Sequence, residues 1–315
     1  MTYPADYDDY NNYDNSLSVS GTLNLLNQLQ SLFKQKPDSH KLGPVESVVV
    51  TTSQDLAEQI ERGRELARDI DCEFVLRNDR PLKNLFMNTL VQGIVVVESD
   101  RITLQSVEGS KSFFHPNMAK HRAEVLSRNG EDSMVTAMGL TPGQKVLDCT
   151  FGLGSDALIA SLIVGKTGLV VGLEASLLLS AMIRWGMQEY PWQRVARVGE
   201  LLRKASQQIK LFNLDHRKVL PQLPDASFDV VYFDPMFQQS VRCSNGIELI
   251  RSWGCHQPLE VVTIQQAARV ARRRVVVKAR KGSPEFTKIG FDRLIQGARR
   301  ISYGIIDVDD ALETR

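Results

Sequence analysis

Three acidic residues stand at the ends of apolar runs, where carboxylates could bind a ligand or assist a reaction. Asp148 ends the run QKVLD, Glu174 ends GLVVGLE, and Asp234 ends FDVVYFD. Between the first two acids lies CTFGLGSDA, in which Gly152 and Gly154 let the backbone turn sharply and approach a ligand closely. A helix that starts after these glycines would offer free N–H groups to that ligand. The sequence therefore contains a candidate nucleotide site, although a tight strand-to-helix turn explains the glycines equally well.

The position of Glu174 favours ligand binding over a purely structural turn. Glu174 lies 20 residues beyond Gly154, where an acid at the end of the next strand can accept hydrogen bonds from ribose hydroxyls. These two features fit either a dinucleotide or S-adenosylmethionine. Asp148 favours S-adenosylmethionine, because an acid before the glycines can capture the amino group of that cofactor but would repel the pyrophosphate of a dinucleotide.

Asp215 follows the run IKLFNL and has two possible roles. Its carboxylate could accept the adenine amino group, with His216 lining the same pocket. It could also cap the helix that is predicted to begin near Arg217. The two roles are compatible, so both stay open.

The segment Asp234-Pro235-Met236-Phe237 follows the fourth predicted strand of this region. The Asp234 carboxylate and the Pro235 carbonyl can accept both N–H bonds of an aryl amine, which concentrates electron density on the nitrogen. Proline fixes the turn, and Phe237 offers a face on which a base can stack. The segment resembles the D/N-P-P-Y/F loop of methyltransferases that act on exocyclic amines. In this interpretation all four residues form the catalytic loop.

Alternating strands and helices must position these residues. From Pro142 onward the two types of segment alternate, which predicts an α/β fold with a doubly wound, mostly parallel sheet. Residues 45–112 show a β-α-β-α-β-β pattern, typical of a small α/β or α+β accessory domain. Residues 1–44 are predicted to be a disordered tail and linker, with a transient helix over residues 23–33. The catalytic domain is then expected over residues 113–315.

The motifs LDCTFGLGSDA, GLEAS, DPMF and VVVKARKG resemble those of the RsmJ family and its YpiP-like relatives, which are class I S-adenosylmethionine-dependent methyltransferases. The resemblance implies a Rossmann-like fold and S-adenosyl-L-methionine as cofactor. RsmJ enzymes methylate a guanine N2 in small-subunit ribosomal RNA, so the same target is implied here. Asp215-His216 stands where RsmJ has small hydroxyl residues, and Ala175 replaces a basic residue. Carried over by motif, the cofactor contacts fall on Ser155, Asp156, Glu174, Ala175, Asp215, His216 and Asp234.

The charge is nearly balanced overall but unevenly distributed. The chain has 315 residues, 38 Lys+Arg, 37 Asp+Glu and a formal net charge of +1. Residues 269–300 carry eleven Lys and Arg against two acids, so this segment could bind RNA phosphates or be a solvated charged face. Lys278, Arg280 and Lys281 follow the run VVV, and we expect them to contact RNA, free or in the ribosomal subunit.

The cysteine spacing and the apolar runs argue against several classes of protein, namely disulfide scaffolds, zinc proteins and membrane proteins. The four cysteines, Cys72, Cys149, Cys243 and Cys255, are widely spaced, which argues against a disulfide scaffold and matches no standard zinc pattern. No apolar run reaches the roughly 18 residues of a membrane helix, and the N-terminus does not resemble a signal peptide. A cytoplasmic enzyme without a metal or a membrane partner is expected.

Two alternatives stay open from the sequence. An NAD-dependent oxidoreductase explains the glycines and Glu174 but leaves Asp148 and DPMF unexplained. A catalytically silent, methyltransferase-like RNA-binding protein would use the basic segment and not the pocket.

Overall fold

The computed structural model describes residues 16–34, 48–235, 258–291, 293–297 and 300–308. These residues form a five-stranded sheet, a seven-stranded sheet and the helices around them. Met236 and Phe237 of the predicted catalytic loop lie outside the described residues, as do Cys243 and Cys255.

Helices and strands alternate along most of the chain. The helices are α1 (Ser16–Lys34), α2 (Ala57–Asp69), α3 (Leu82–Thr89), α4 (Asn117–Leu126), α5 (Ser133–Met138), α6 (Ser155–Val164), α7 (Leu177–Glu189), α8 (Gly199–Gln208), α9 (His216–Val219), α10 (Val261–Val270) and α11 (Pro284–Ile289). The strands are β1 (Val48–Thr52), β2 (Glu73–Phe74), β3 (Gly93–Val97), β4 (Ile102–Ser106), β5 (Lys111–Phe113), β6 (Lys145–Asp148), β7 (Leu169–Leu173), β8 (Ile209–Phe212), β9 (Phe228–Phe233), β10 (Ala271–Arg280), β11 (Arg293–Gln296) and β12 (Ile301–Asp307).

The smaller sheet has the strand order β2-β1-β3-β4-β5. Strand β1 pairs in parallel with β2 and β3, whereas β4 and β5 continue the sheet in antiparallel fashion. All residues of β1 and β3 are buried, because α2 covers one face of these strands and α3 covers the other. The β-α-β-α-β-β pattern of the sequence is present, and β5 adds a strand to it.

The larger sheet has the strand order β11-β12-β10-β9-β6-β7-β8. Strand β12 is antiparallel to β10 and to β11, and the other neighbouring pairs are parallel. From β6 the chain continues on one side to β7 and β8, then crosses to β9 on the other side of β6. Ligands of open α/β sheets bind at such a reversal, in the crevice at the carboxyl ends of the strands. In this sheet the crevice lies between the ends of β6 and β9.

Residues of each central strand alternate between two apolar clusters. On β9, Val230 and Tyr232 belong to the cluster that includes residues of α4, α5, α6 and α8. Val231 and Phe233 belong to the cluster that includes residues of α1, α9, α10 and α11. The sheet is therefore covered by helices on both faces, as its continuously apolar strands require.

Helix α7 joins the two sheets. Its residues Leu178 and Met182 lie in the apolar cluster of the smaller sheet, whereas Ile183 and Met187 lie in a cluster of the larger one. Polar contacts also link α7 to α2, since the Trp185 indole N–H donates to an Asp69 carboxylate oxygen at 3.0 Å. The smaller sheet is thus connected to the larger one through α7.

Helix α1 differs from the sequence expectation of a disordered tail with a transient helix. Residues 16–34 form a helix, in which Leu29 is fully buried and Leu25 is 5% exposed. Both leucines belong to the cluster that contains Leu220 and Leu223, and the Gln28 side chain donates to the Gln222 carbonyl at 2.6 Å. Residues 1–15 and 35–47 lie outside the described residues. Among the helices described, none has both the length and the apolar character needed to cross a membrane.

We expect Leu29→Ala to lower the free energy of unfolding by about 2–4 kcal/mol, because it leaves a cavity in the core. Leu23→Ala is the matched control, since Leu23 is 55% exposed on the same helix, and its effect should stay within about 0.5 kcal/mol. Urea denaturation of both variants measures the difference. Equal stabilities would show that α1 does not contribute to the core.

Candidate active site

The glycine-rich turn connects β6 to α6 at the crevice. Gly152 and Gly154 have φ angles of +52° and +73°, which side chains other than glycine rarely adopt. A Cβ atom on Gly154 would also lie 2.7 Å from the Phe151 ring. The N–H of Phe151 donates to the Leu173 carbonyl at 3.0 Å, so the turn is attached to the end of β7. Glycine is therefore required at these positions by the path of the backbone.

Glu174 follows β7 and faces this turn. Its two carboxylate oxygens accept the N–H groups of Gly152 at 3.1 Å and Ser176 at 2.9 Å. The Asn213 side chain fixes the backbone there by donating to the carbonyls of Glu174 and Ala175, at 2.8 and 3.1 Å. Burial raises the pKa of Glu174 to about 7. An ionised carboxylate has four acceptor sites, so further hydrogen bonds to it are chemically possible. Acceptance of the ribose hydroxyls by Glu174 stays a prediction.

Asp148 lies beneath the turn and is 2% exposed. One of its oxygens accepts the Thr150 N–H at 3.1 Å. Burial, together with the nearby carboxylates of Asp156 and Asp234, raises its pKa well above the ordinary value. A cation beside this carboxylate would favour its ionised form, so the raised pKa is compatible with binding an amino group. Capture of the cofactor's amino group by Asp148 stays a prediction.

Asp215 caps α9, as one of the two sequence interpretations predicts. It accepts the Arg217 N–H at 3.0 Å, and its carboxylate also receives the Arg217 Nε–H at 2.9 Å. Burial opposes ionisation, but the hydrogen bonds from Arg217 lower the pKa of Asp215. The ring centroid of the next residue, His216, lies 5.5 Å from that of Phe233, the last residue of β9. This contact places His216 at the end of β9, and the adenine contacts of Asp215 and His216 stay predicted.

Asp234 connects the end of β9 to the glycine-rich turn. Its N–H donates to Thr150 Oγ1 at 2.6 Å. Its Oδ2 accepts from Lys278 Nζ at 2.7 Å. The predicted catalytic carboxylate therefore lies beside the predicted cofactor site, and Pro235 follows it. Ser155 opens α6 and Ala175 follows Glu174, so both also belong to this edge of the sheet.

A network of ion pairs surrounds Asp156. Lys278 Nζ lies 2.9 Å from Asp156 Oδ2, and the Tyr232 hydroxyl donates to the same oxygen at 2.6 Å. Arg122 on α4 donates to Asp156 Oδ1 at 2.5 Å and, through its Nε, to Asp132 Oδ2 at 2.7 Å. All of these side chains are largely buried. Asp156 is thus held by three donors from separate elements.

The charges in this network stabilise one another. Burial raises the pKa of Asp156, but Lys278 and Arg122 outweigh it and lower that pKa. Burial lowers the pKa of Lys278, but Asp156 and Asp234 outweigh it and raise that pKa. The pKa of Asp234 is raised, because burial outweighs the attraction of Lys278. Lys278 is therefore charged at neutral pH and placed between two carboxylates.

Lys278 corrects a prediction from the sequence. The basic segment predicts that it contacts RNA, but both of its carboxylate partners are internal and only 19% of its side chain is exposed. Arg280 is half-buried and Lys281 is exposed, just beyond the active-site end of β10. Contact of these two residues with RNA stays a prediction.

The basic segment is partly neutralised by acids from elsewhere in the chain. Four of its arginines form ion pairs with three aspartates, so the local excess of positive charge is smaller than the sequence indicates. The pairs are Arg269–Asp225, Arg272–Asp229, Arg274–Asp307 and Arg293–Asp307.

Sequence reasoning missed three side chains of the site. Thr150 lies within the glycine-rich motif, and its hydroxyl could have been noticed there. Arg122 and Tyr232 carried no signal, because one precedes the predicted sheet and the other reads as an apolar strand residue. Within the described ranges, no group of three or more His, Cys, Asp or Glu is arranged to hold a metal ion.

Known proteins are similar to this chain in sequence and in fold. Residues 82–297 match the family model "Putative SAM-dependent methyltransferase" (SAM_MT). YpiP, an uncharacterized protein of Bacillus subtilis (strain 168), is 38% identical over 259 residues, which cover 82% of this chain and 98% of YpiP. The SAM-dependent methyltransferase NGO1261 from Neisseria gonorrhoeae has a TM-score of 0.53 at 17% identity, covering 85% of this chain and 100% of that one. The predicted α/β, Rossmann-like fold is confirmed, and the matches favour S-adenosylmethionine over NAD.

We expect Glu174→Gln to weaken binding of S-adenosylhomocysteine by about 10- to 100-fold, because hydrogen bonds to a charged group are lost. The wild-type affinity should also fall as the pH drops through about 7, where Glu174 becomes protonated and loses an acceptor. The variant should lack this pH dependence. Calorimetric titration between pH 6 and 8 measures both effects.

Glu65→Gln on the exposed face of α2 serves as the control for loss of a negative charge. It should bind S-adenosylhomocysteine like the wild type at every pH. An unchanged affinity in Glu174→Gln would contradict the assignment of Glu174 to the ribose.

Proposed function

Since the chain belongs to the SAM_MT family of S-adenosylmethionine-dependent methyltransferases, we propose that it methylates an exocyclic amine of a nucleobase, the N2 of a guanine in small-subunit ribosomal RNA. The observation that carries the proposal is the position of Asp234-Pro235 at the carboxyl end of β9. There the Thr150 hydroxyl joins the Asp234 backbone to the glycine-rich turn at 2.6 Å. The acceptor for an amine thus lies next to the residues suited to the cofactor.

The crevice has the groups that S-adenosylmethionine requires. Glu174 would bind the ribose hydroxyls, and Asp148 would bind the amino group. Gly152 and Gly154 leave the backbone without side chains where the cofactor approaches, and α6 begins directly after them. The bound cofactor supplies an electrophilic methyl group on a sulfonium. The chain's own task is to place a nucleophile in line with that methyl group.

An exocyclic amine is a weak nucleophile, because its lone pair is delocalised into the base. Asp234 Oδ1 and the Pro235 carbonyl can accept its two N–H bonds and localise the lone pair on nitrogen. Oδ2 of Asp234 already accepts from Lys278, and within the described part of the chain no hydrogen bond reaches Oδ1. When the nitrogen–carbon bond forms, the nitrogen must release a proton, to Asp234 or to water.

Three observations support a guanine in ribosomal RNA. The motifs LDCTFGLGSDA, GLEAS and DPMF resemble those of the RsmJ family, which acts on guanine N2. Exposed Lys281 directly follows β10 at the edge of the sheet that contains Asp234, and its ammonium is available to a phosphate. Phe237, in the predicted catalytic loop, has the side chain for stacking a base that is extruded from its neighbours.

We expect Asp234→Ala to lower methyl transfer by at least about 100-fold, because the amine loses its charged acceptor. The substrate is small-subunit rRNA from a strain that lacks this gene, and the measurement is incorporation of a labelled methyl group. Binding of S-adenosylhomocysteine should weaken much less, since Glu174 and the glycine-rich turn are unchanged.

Asp225→Ala is the matched control, because Asp225 is exposed and pairs with Arg269 away from the crevice. It should retain wild-type transfer. Normal turnover by Asp234→Ala would contradict the proposed chemistry. Wild-type protein that binds the RNA and the cofactor but transfers no methyl group would indicate an RNA-binding protein with a silent site.

A further inference from the structure

We propose that Lys278 is a positioning residue for methyl transfer, which holds Asp234 Oδ2 and so presents Oδ1 to the substrate amine. The inference rests on the proposed methylation of an exocyclic amine and adds to it a residue that fixes the amine's acceptor. Lys278 acts through Asp234 and does not itself touch the reacting atoms.

The strand register brings the two residues together. Strands β9 and β10 are parallel neighbours, and Val277 lies opposite Phe233. Asp234 directly follows Phe233 at the end of β9, and Lys278 directly follows Val277 on β10. Their side chains meet at the carboxyl edge of the sheet, with 2.7 Å between Nζ and Oδ2.

A second carboxylate fixes the lysine from the opposite side. Lys278 Nζ also donates to Asp156 Oδ2 at 2.9 Å. Asp156 is itself held in place, because Arg122 donates to its Oδ1 at 2.5 Å and the Tyr232 hydroxyl donates to its Oδ2 at 2.6 Å. Two of the three ammonium protons are thus donated to carboxylates on separate elements, α6 and the end of β9.

This arrangement makes the two oxygens of Asp234 inequivalent. A free carboxylate could rotate about its χ2 angle and offer either oxygen to a substrate. With Oδ2 bound to Lys278, a substrate N–H is directed to Oδ1. The second N–H of a primary amine is then left for the Pro235 carbonyl. The ammonium charge also favours the ionised carboxylate, which is the form that accepts an N–H.

A purely structural ion pair is the competing explanation. Buried ion pairs often contribute little to stability, so their presence alone does not indicate a role in stability or in catalysis. The two explanations differ in pH dependence. If Lys278 only supports the fold, its removal lowers the rate equally at every pH. If it keeps Asp234 ionised, its removal moves the acid limb of the rate to higher pH.

The test compares Lys278→Met with the wild type at saturating cofactor, so that titration of Glu174 does not contribute. At pH 7 we expect kcat to fall at least about 100-fold. The acid limb of kcat should move up by about one pH unit or more, because an opposite charge is lost beside the carboxylate. Affinity for S-adenosylhomocysteine should stay close to that of the wild type.

The charged and titratable groups around Asp234 come from every neighbouring element and stay in place in the variant. Because these groups are the same in both proteins, a shift in the acid limb of kcat reports the loss of Lys278 alone. They are Asp148 on β6, Asp156 on α6, Arg122 on α4, Tyr232 on β9 and Tyr303 on β12.

Two further variants complete the series. Lys278→Arg keeps the charge in a different shape, so it should restore the wild-type pH profile with an intermediate kcat. Lys166→Met removes an exposed lysine in the turn after α6 and should behave as the wild type. If Lys278→Met does not fold, as judged by its melting temperature, Lys278→Gln replaces it with the same expected shift.

If the wild type transfers the methyl group and Lys278→Met has the same pH profile as the wild type, this inference is overturned and the proposed function stays intact. If the wild type methylates no nucleobase amine, the proposed function fails, and the carboxyl titration of Asp234 by ¹³C NMR decides instead. A higher pKa of Asp234 in Lys278→Met supports the placement of Lys278. The same pKa in both proteins overturns it.

Discussion

The ammonium of Lys278 shares its protons between Asp156 and Asp234, at 2.9 and 2.7 Å. Lys278 and Asp156 are largely buried, and buried charges are costly unless they are paired, so each holds the other in place. Because the three residues lie on β10, on α6 and after β9, their pairing joins the start of α6 to the end of β9. The Thr150 hydroxyl, which accepts the Asp234 N–H, adds a neutral contact between the same two turns. The position of Asp234 relative to the glycine-rich turn therefore depends on interactions that the folded sheet already contains.

The network of ion pairs around Asp156 also includes residues of the helices that pack on the larger sheet. Arg122 lies on α4, in the segment that leaves the smaller sheet, and it reaches both Asp132 at the start of α5 and Asp156. Helix α7, which begins three residues after Glu174, packs its apolar residues against both sheets. Ion pairs such as Arg62–Glu189 and Arg194–Asp100 also join the part of the chain that contains the smaller sheet to the segment from α7 to α8. The central strands of the smaller sheet, β1 and β3, are fully buried.

Much of the larger sheet could be predicted from the sequence, because β6, β7 and β9 are mainly apolar runs that end at acidic residues, and β10 contains the apolar run Val275–Val277. The acids at those ends were found for the same reason, since parallel strands meet at one edge. Short or amphipathic elements, such as α8 and β11, gave no comparable pattern and were not assigned. Lys278 shows the principal limit of prediction from the sequence, which does not reveal the partners of a charged side chain. A basic residue within a basic segment fits phosphate contact, and only the register of β9 and β10 reveals that its partners are carboxylates. Helix α1 is likewise predicted from the sequence only as a transient helix, because the cluster that buries Leu29 is formed by residues more than a hundred positions away.

The central claim is that the carboxylate after β9 accepts an amine of a ribosomal RNA base for methylation. Nucleoside mass spectrometry of small-subunit rRNA tests it most directly, in a strain that lacks the gene and in the same strain carrying either the wild-type gene or Asp234→Ala. The account predicts that one N2-methylguanosine is lost in the deletion strain, returns with the wild-type gene and stays absent with the variant. An unchanged set of methylated nucleosides in the deletion strain, or full restoration by Asp234→Ala, would contradict it.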